Sequence, residues 1–489
     1  MSERAELSGA DRDLLRKISA AAFANPFGAE RWELDAEIAG VPPDDPEIVE
    51  RVVAVTEAVF ARLAPSVRAY RAEDADLVEH ALLFLTFHRF ADPLDAFIAR
   101  QAGEPEPLAF PGHADLAAAL VERGWPRLRV GRALELFYQL RRAYGFIAGG
   151  LVGPSAPMRR LRAALWDAVF TRDVRRYERH LWDRMEDFST LLLGETGTGK
   201  GAAAAALGRS GFIPWEGERF AFSFEEAFVP LNLSEYAEAL LESELFGHEK
   251  GAFTGAIARH EGAFARCRAH GTIFLDEIGE VSVPTQIKLL RVLQERAFTP
   301  VGSHRAARFE GRVVAATNRA LTMLRAEGRF RDDFYYRLCS HVIEVPPLRA
   351  RLEDEPAELD ALLGALVERI VGDRQAELEA QVKAAIARDL PTGYGWPGNV
   401  RELEQTVRRV LLTGATAPDP ASLRGPRDPA ARFWARADAG ELDAGQLLAG
   451  WCALLHRRLG TYAAVAERTA LDRRTVKKHV LAGEPLLSA

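Results

Sequence analysis

The segment Ser189–Gly201, STLLLGETGTGKG, constrains this chain more than any other. A short apolar run, a glycine-rich turn and an alanine run over 202–206 spell strand, loop and helix. Gly194, Glu195, Thr196, Gly197, Thr198, Gly199 and Lys200 match a phosphate-binding loop up to the lysine. The glycines let the backbone curl so that N–H groups face phosphate oxygens, the ammonium reaches the β and γ phosphates, and the helix N-terminus adds a favourable dipole. The pattern closes on Gly201 in place of Ser or Thr, so the hydroxyl that often ligates Mg²⁺ is missing.

Further short apolar runs come at 228–233, 272–276 and 312–316, with helical stretches between them. This alternation predicts an α/β core built on a mostly parallel sheet covered on both faces. The run Ile273–Leu275 ends in Asp276 and Glu277. There Asp276 suits Mg²⁺, directly or through water, and Glu277 suits the attacking water. Asn318 closes the next strand, where an amide can sense a γ-phosphate. Arg331 and Arg337 lie six apart in FRDDFYYR. They can reach a phosphate on a neighbouring subunit or pair with Asp332 and Asp333, and spacing alone favours the ion pairs.

Residues 1–150 read as helical. Ile48, Val52, Val55, Val59, Leu63 and Val67 recur at helical spacing, and GEPEPLAFPG breaks the pattern at 103–112. No βα repeat appears there. His80 and His88 read as core or boundary histidines, and the aromatic run Phe137, Tyr138, Tyr144, Phe146 as packing. No compact catalytic constellation stands out, so the region is expected to sense a signal. From Met158 to about Phe188 the pattern is one long amphipathic helix, or two broken near Thr171. After Pro346–Pro347 the chain is helical again to about Thr413, then Pro- and Ala-rich as a linker. The expected division is 1–150 regulatory, 151–350 α/β, 351–415 helical lid, 416–440 linker and 441–489 a terminal module.

The net charge of −7 over 489 residues excludes a generally basic nucleic-acid coat, so any DNA contact needs a locally basic module. Residues 463–480 supply one. Ala463–Ala470 suits a first helix, Leu471–Asp472 a turn, and Arg473–Val480 a second helix rich in Arg and Lys, as in a helix-turn-helix. The three cysteines are far apart and support neither a disulfide framework nor a Cys-based zinc site. The charged N-terminus and the lack of any long apolar run predict a cytoplasmic protein without a membrane span.

The region from about 189 to 413 resembles the AAA+ ATPase domain of bacterial sigma-54-dependent transcription activators. GAFTGA at 251–256 is the family's signature loop. Beyond it, in family order, come GTIFLDEIGE, LLRVLQE, VVAATN, FRDDFYYRL and WPGNVREL. The resemblance implies that the loop ending in Lys200 binds ATP, and that Asp276 and Glu277 are the Walker B pair. It matches Asn232 to the asparagine that restrains the catalytic glutamate, Asn318 to sensor I, Arg331 and Arg337 to arginine fingers, and Arg401 to sensor II. Gly251, Ala252, Phe253, Thr254, Gly255 and Ala256 would contact sigma-54 RNA polymerase holoenzyme, with Phe253 and Thr254 at the tip. A ring of six or seven copies is implied. The end of the chain looks like a Fis-like helix-turn-helix, which would set Arg473, Arg474, Thr475, Lys477 and Lys478 against duplex DNA. Three departures stand out: Gly201, where the family commonly has Glu, extra residues at about Arg172–Asp187 before the phosphate loop, and a longer aromatic stretch around 212–228.

Overall fold

Five short strands form one parallel sheet in the computed structural model, which describes residues 5–64, 66–416 and 429–488. They are β1 (Thr190–Leu193), β2 (Phe228–Asn232), β3 (Thr272–Asp276), β6 (Arg312–Thr317) and β7 (His341–Glu344), in the order β2-β3-β6-β1-β7. β4 (Ala297–Phe298) and β5 (Ala307–Arg308) make a separate antiparallel pair. Alternate residues feed two cores. Leu191, Ile273, Leu275, Val313 and Ala315 enter one, while Leu192, Phe274, Val314 and Ala316 enter the other. Burial on both faces explains why these strands read as unbroken apolar runs. The expected α/β class is therefore the observed one. β7 is the strand that the sequence does not mark: HVIE is short and stands beside a proline pair, so neither length nor alternation singles it out.

The parallel order carries the chemistry to one edge. The loops after β1, β3 and β6 leave the carboxyl ends of adjacent strands, which is where α/β folds bind ligands.

The stretch from Met158 breaks near Thr171. The helix Ala156–Phe170 ends there with Thr171 at φ 61°. The chain then makes one turn at Val174–Arg176, a π turn at Tyr177–Leu181 and a 3₁₀ turn at Met185–Asp187. The second half is thus a series of turns, not the regular amphipathic helix that its spacing suggests. Tyr177 is fully buried and donates its hydroxyl to Gln139 at 2.8 Å. Arg312 is buried too, and donates to the carbonyls of Ala168 and Phe188. These tertiary bonds replace helical ones.

Seven α-helices occupy the described residues before 151, the last being Val130–Gly150. Their apolar faces meet in one core with Leu15, Val52, Val59, Leu94 and Phe97. That core also takes Ile213, Phe220, Phe222 and Phe224 from the long loop between the phosphate loop's helix and β2. Tyr138 stacks on Phe220 at 3.8 Å, and Phe146 meets Phe224 edge-on at 5.1 Å. The extra aromatic stretch is therefore packing for the N-terminal helices. The helix ending at Gly150 supplies both that core and the sheet's outer core, through Ala143 and Ile147. One compact unit runs to Ala384 and includes Gly393–Leu411.

The second unit is Ala385–Thr392 with the chain from Leu412 onward. Much of the expected linker, residues 417–428, lies outside the described residues, and its remainder contains a helix, Pro429–Asp438. Ala444–Leu459 begins with a capping box in which Asp443 and Gln446 bond reciprocally. Tyr462–Thr469 and Arg473–Ser488 come next, the latter continuing eight residues beyond the expected Val480 and through Pro485. Cys452, Val465, Val476 and Val480 form the small core between them. Among the described residues no helix is long and apolar enough to cross a membrane.

Candidate functional site

A cavity of about 560 Å³ opens at the carboxyl end of β1 and β3. Thr196–Gly201 form its floor, Asp276 and Glu277 one side, and Arg401 another. The apolar wall comes from Val152, Met158, Leu161, Leu362 and Leu366. A polar floor and an apolar slot suit a nucleotide's phosphates and base.

The phosphate loop has the shape its glycines permit. Gly197 and Gly199 lie at φ 79° and 101°, where a side chain would be strained. At Gly197 a Cβ would also sit 2.2 Å from the Gly398 carbonyl. A Cβ at Gly201 would meet nothing within 4 Å, so packing does not require glycine there. Lys200 donates to the carbonyls of Gly194 and Glu195 at 2.9 and 3.1 Å. Burial lowers its pKa, against the opposing pull of Glu277 and Asp276. Thr198 turns its hydroxyl onto the Glu195 carbonyl.

Asp276 ends β3, and its Oδ1 accepts the Glu277 backbone N–H at 2.9 Å. Glu277 adopts the left-handed conformation at φ 56°, and its buried Oε2 has no protein partner. A strained backbone carrying an unpaired buried carboxylate oxygen is a feature of sites that act on a ligand. Asn318, just past β6, donates to the Thr196 hydroxyl at 2.7 Å. That bond brings the Asn318 amide to the phosphate loop, in keeping with its place at the end of a strand.

Asn232 is in register with Asp276 across β2 and β3, but it does not hold Glu277. Its amide donates to Glu235 at 3.0 Å and its carbonyl accepts from Ser234. The local turn satisfies the side chain, so the implied restraint is not made in this arrangement. Arg331 pairs with Asp333 at 2.7 Å, and Arg337 donates to the Leu293 carbonyl at 3.0 and 3.1 Å. Neither lines its own chain's cavity.

Two residues from outside the phosphate loop, Asn399 and Arg349, join the site without a signal of their own in the sequence. Asn399 accepts the Leu348 N–H at 2.8 Å and donates to Glu195 and to the Thr196 carbonyl. Arg349 forks onto both Glu195 oxygens at 2.6 and 2.8 Å and lowers that carboxyl's pKa. Asn399 lies within WPGNVREL, but its motif letter alone does not tell which loop it grips. A fully buried pair, Arg351 and Glu358, anchors the segment before the cavity's apolar wall: Glu358 accepts the Ser155 N–H and Arg351 donates to the Val152 carbonyl.

Residues 172–344 match the family model described as the sigma-54 interaction domain. The core of this chain is a sigma-54 interaction domain. That module is an AAA+ ATPase. The chain is 42% identical over 299 residues to the Nif-specific regulatory protein of Azotobacter vinelandii, covering 60% of this chain and 50% of the relative. It is 46% identical over 230 residues to ZraR of Klebsiella oxytoca, covering 47% and 48%. NtrC of Azospirillum brasilense matches at 42% over 225 residues, 46% and 43% of the two chains. The chain spans about half the length of these relatives. NtrX from Brucella abortus, solved with ATP, aligns at 23% identity and a TM-score of 0.42 over 77% of this chain and 81% of that one.

In the sigma-54 interaction domain the 251–256 loop is a closed turn. Gly251 N–H donates to the Ala256 carbonyl and Ala256 N–H to the Phe253 carbonyl. Gly251 and Gly255 take φ 82° and 104°. Phe253 is 38% exposed and meets His248 edge-on at 4.9 Å, so it is neither buried nor fully free. Thr254 is exposed. In the C-terminal unit Arg473, Arg474, Lys477 and Lys478 are exposed on one helix. Thr475 is different: its hydroxyl donates to Asp472 at 2.5 Å, inside the helix cap.

Proposed function

We propose that this chain is an ATP-driven activator that remodels sigma-54 RNA polymerase through the 251–256 loop. The observation that carries this is convergence. Lys200, Asp276, Glu277 and the Asn318–Thr196 bond meet at one cavity, in a domain that also presents an intact GAFTGA turn with Thr254 exposed.

The residues fit ATP with Mg²⁺. The glycine cradle leaves room for phosphate, and Glu277 has a buried oxygen in want of a partner. Among the described residues no cluster of three or more His, Cys, Asp or Glu forms a self-sufficient metal cage. A metal here would lean on Asp276, water and phosphate oxygens, as Mg²⁺ does. Bound Mg-ATP supplies the γ-phosphoryl group for transfer to water.

The chain's own groups then act in concert. Lys200 offsets negative charge at the β and γ positions. Glu277 orients the attacking water and accepts its proton. Asn318 reads the γ position and relays through Thr196. Asn232 would have to leave Glu235 to restrain Glu277, which makes it a switch and not a fixed tether. Arg331 and Arg337 serve the site of the next subunit in a ring, after Arg331 releases Asp333. The helix Arg473–Ser488 binds upstream DNA, and the N-terminal helices receive the signal.

The test is Mg-dependent ATP hydrolysis by the full chain and its Glu277→Ala form. Loss of at least about a hundredfold in rate is expected. An undiminished rate would remove Glu277 from the chemistry.

A further inference from the structure

A second cavity, of about 370 Å³, lies among the N-terminal helices and belongs to no part of the ATPase machinery. Its size falls within the range of small-molecule sites, about 300–1,000 Å³. Its lining is aromatic: Phe23, Trp32, Phe84, Phe87, Phe137 and Tyr144 all contribute.

The charges around it are already spent on each other. Arg31 pairs with Asp35 at 2.6 Å, and Arg141 donates to Asp95 at 2.8 Å. Burial pushes the His80 and His88 pKa values down to about 4, so both rings are neutral near pH 7. An anionic ligand would therefore find no free counter-ion.

Polar capacity nevertheless remains. The His88 ring touches Phe84 and Phe87 and makes no hydrogen bond among the described residues. A neutral imidazole offers one donor and one acceptor. Two more lining residues, each about 96% buried, carry an unpaired polar atom, Asp35 Oδ1 and Trp166 Nε1. Groups of this kind normally find partners.

Two helices contribute residues to both this cavity and the nucleotide site. Phe137, Leu140 and Tyr144 stand on Val130–Gly150, whose last residues, Gly149 and Gly150, line the ATP cavity. The same helix grips the end of the phosphate loop's helix through Gln139 to Ser210 and Arg142 to Arg209. Trp166 stands on Ala156–Phe170, which puts Met158 and Leu161 into the ATP cavity.

We propose that this cavity is an effector site for a small, uncharged aromatic molecule bearing a hydroxyl group, coupled to the nucleotide site through Val130–Gly150 and Ala156–Phe170. The coupling rests on the ATP reading of the first cavity, whereas the binding does not. Linkage requires the effector to change nucleotide affinity by the same factor as nucleotide changes effector affinity.

The probe is 2-naphthol, an uncharged fluorescent bicycle with one hydroxyl, titrated into the full chain. Saturable one-site binding is expected, with naphthalene-2-sulfonate at least tenfold weaker. Leu140→Trp and Leu83→Trp, which fill the cavity from two helices, should each weaken 2-naphthol at least tenfold. Circular dichroism checks that each variant is folded, and one folded variant suffices. His88→Phe should weaken 2-naphthol several-fold while leaving naphthalene unchanged. Lys200→Ala should leave 2-naphthol binding intact. With a fluorescent ATP analogue, saturating 2-naphthol should shift nucleotide affinity at least threefold.

Absent saturation, or undiminished binding in a folded cavity-filled variant, overturns the site. Sulfonate binding as tight as 2-naphthol overturns the uncharged class. Nucleotide affinity indifferent to 2-naphthol overturns the coupling. If the parent chain binds 2-naphthol but no nucleotide, the effector site stands and the ATP reading falls.

Discussion

The guanidinium of Arg142 donates to the main-chain carbonyl of Arg209 at 2.6 Å, tying an N-terminal helix to the end of the phosphate loop's helix. Its other terminal nitrogen donates to the Gly211 carbonyl at 2.8 Å. The side chain is fully buried, and burial lowers its pKa to about 10, so it stays charged at neutral pH. Arg142→Met keeps much of the apolar bulk and leaves two carbonyls unsatisfied. Unfolding in urea should show a loss of about 2–4 kcal/mol. A change under about 0.5 kcal/mol would mean that the joint between the N-terminal helices and the ATPase core is incidental.

His80 and His88 make the unit's stability depend on pH. Both folded pKa values, about 4, lie below the ordinary 6.5 because burial disfavours the charged ring. The His80 ring bonds to the Ser19 hydroxyl; Asp76 raises its pKa, and Arg175, Arg179 and Arg129 lower it. Arg31 and Arg141 lower that of His88. Above pH 6.5 the unfolded chain holds no extra proton there, and stability is complete. As pH falls from 6.5 towards 4, the unfolded chain binds protons that the folded one refuses. Stability should therefore drop by roughly 2–4 kcal/mol between pH 7 and pH 5. Urea midpoints at three pH values measure it, and His88→Phe should flatten the slope by about half. An unchanged slope would place His88 in water.

The ATP site is legible in the sequence because its motifs are local: 194–200 and 276–277 are contiguous runs whose glycines and carboxylates have one job each. The features that escape a sequence reading depend on distant partners. The aromatic stretch near 220 is explained only by Tyr138 and Phe146, some eighty residues upstream. The spacing of Tyr177, Leu181 and Met185 mimics a helix, but Gln139 and tertiary packing recruit Tyr177 into a π turn. For Arg331, charge proximity predicts its bond to Asp333, while the motif implies a role that only a second subunit can reveal.

Asn399 holds the lid on the phosphate loop, and its loss should weaken nucleotide binding. It sits at φ 53°, a conformation that Asn tolerates better than Ala. Asn399→Ala removes three hydrogen bonds and adds backbone strain of about 1 kcal/mol or more. The fluorescent ATP analogue should bind at least tenfold more weakly. Arg349→Ala, which breaks a half-exposed pair with Glu195, should cost less than threefold. Equal effects from the two would show that the lid is held by charge and not by Asn399.

The basic helix gives a prediction about salt. Arg473, Arg474, Lys477 and Lys478 are exposed, whereas Thr475 is engaged in the Asp472 cap. Each phosphate contact should contribute about 0.9 to the slope of log affinity against log salt. Lys477→Ala with Lys478→Ala should lower that slope by nearly two per module, measured by fluorescence anisotropy on upstream DNA. A chain ending at residue 425 should lose DNA binding and keep ATP turnover. Specific binding by that truncation would move the DNA contact elsewhere.

Under the proposed function, Thr254→Ala should separate turnover from work. The 251–256 turn is closed by main-chain bonds between Gly251 and Ala256 and between Phe253 and Ala256, and none of them uses a side chain. Gly251 and Gly255 supply the two left-handed residues, so the turn's shape does not depend on the residue at its tip. Thr254 is exposed, and Thr254→Ala should shift stability by less than about 0.5 kcal/mol. Phe253 rests edge-on against His248 and can leave it at little cost, because one ring contact is worth only about 0.5–1.5 kcal/mol. A loop so lightly held can differ in height between nucleotide states, and the proposed function then requires its affinity for polymerase to differ between them. Thr254→Ala should accordingly hydrolyse ATP and bind DNA as the parent does, yet form no open complex with purified sigma-54 polymerase in vitro. Full activation by Thr254→Ala, or activation by the parent only of polymerase carrying the housekeeping sigma factor, would show that this loop does not carry the coupling.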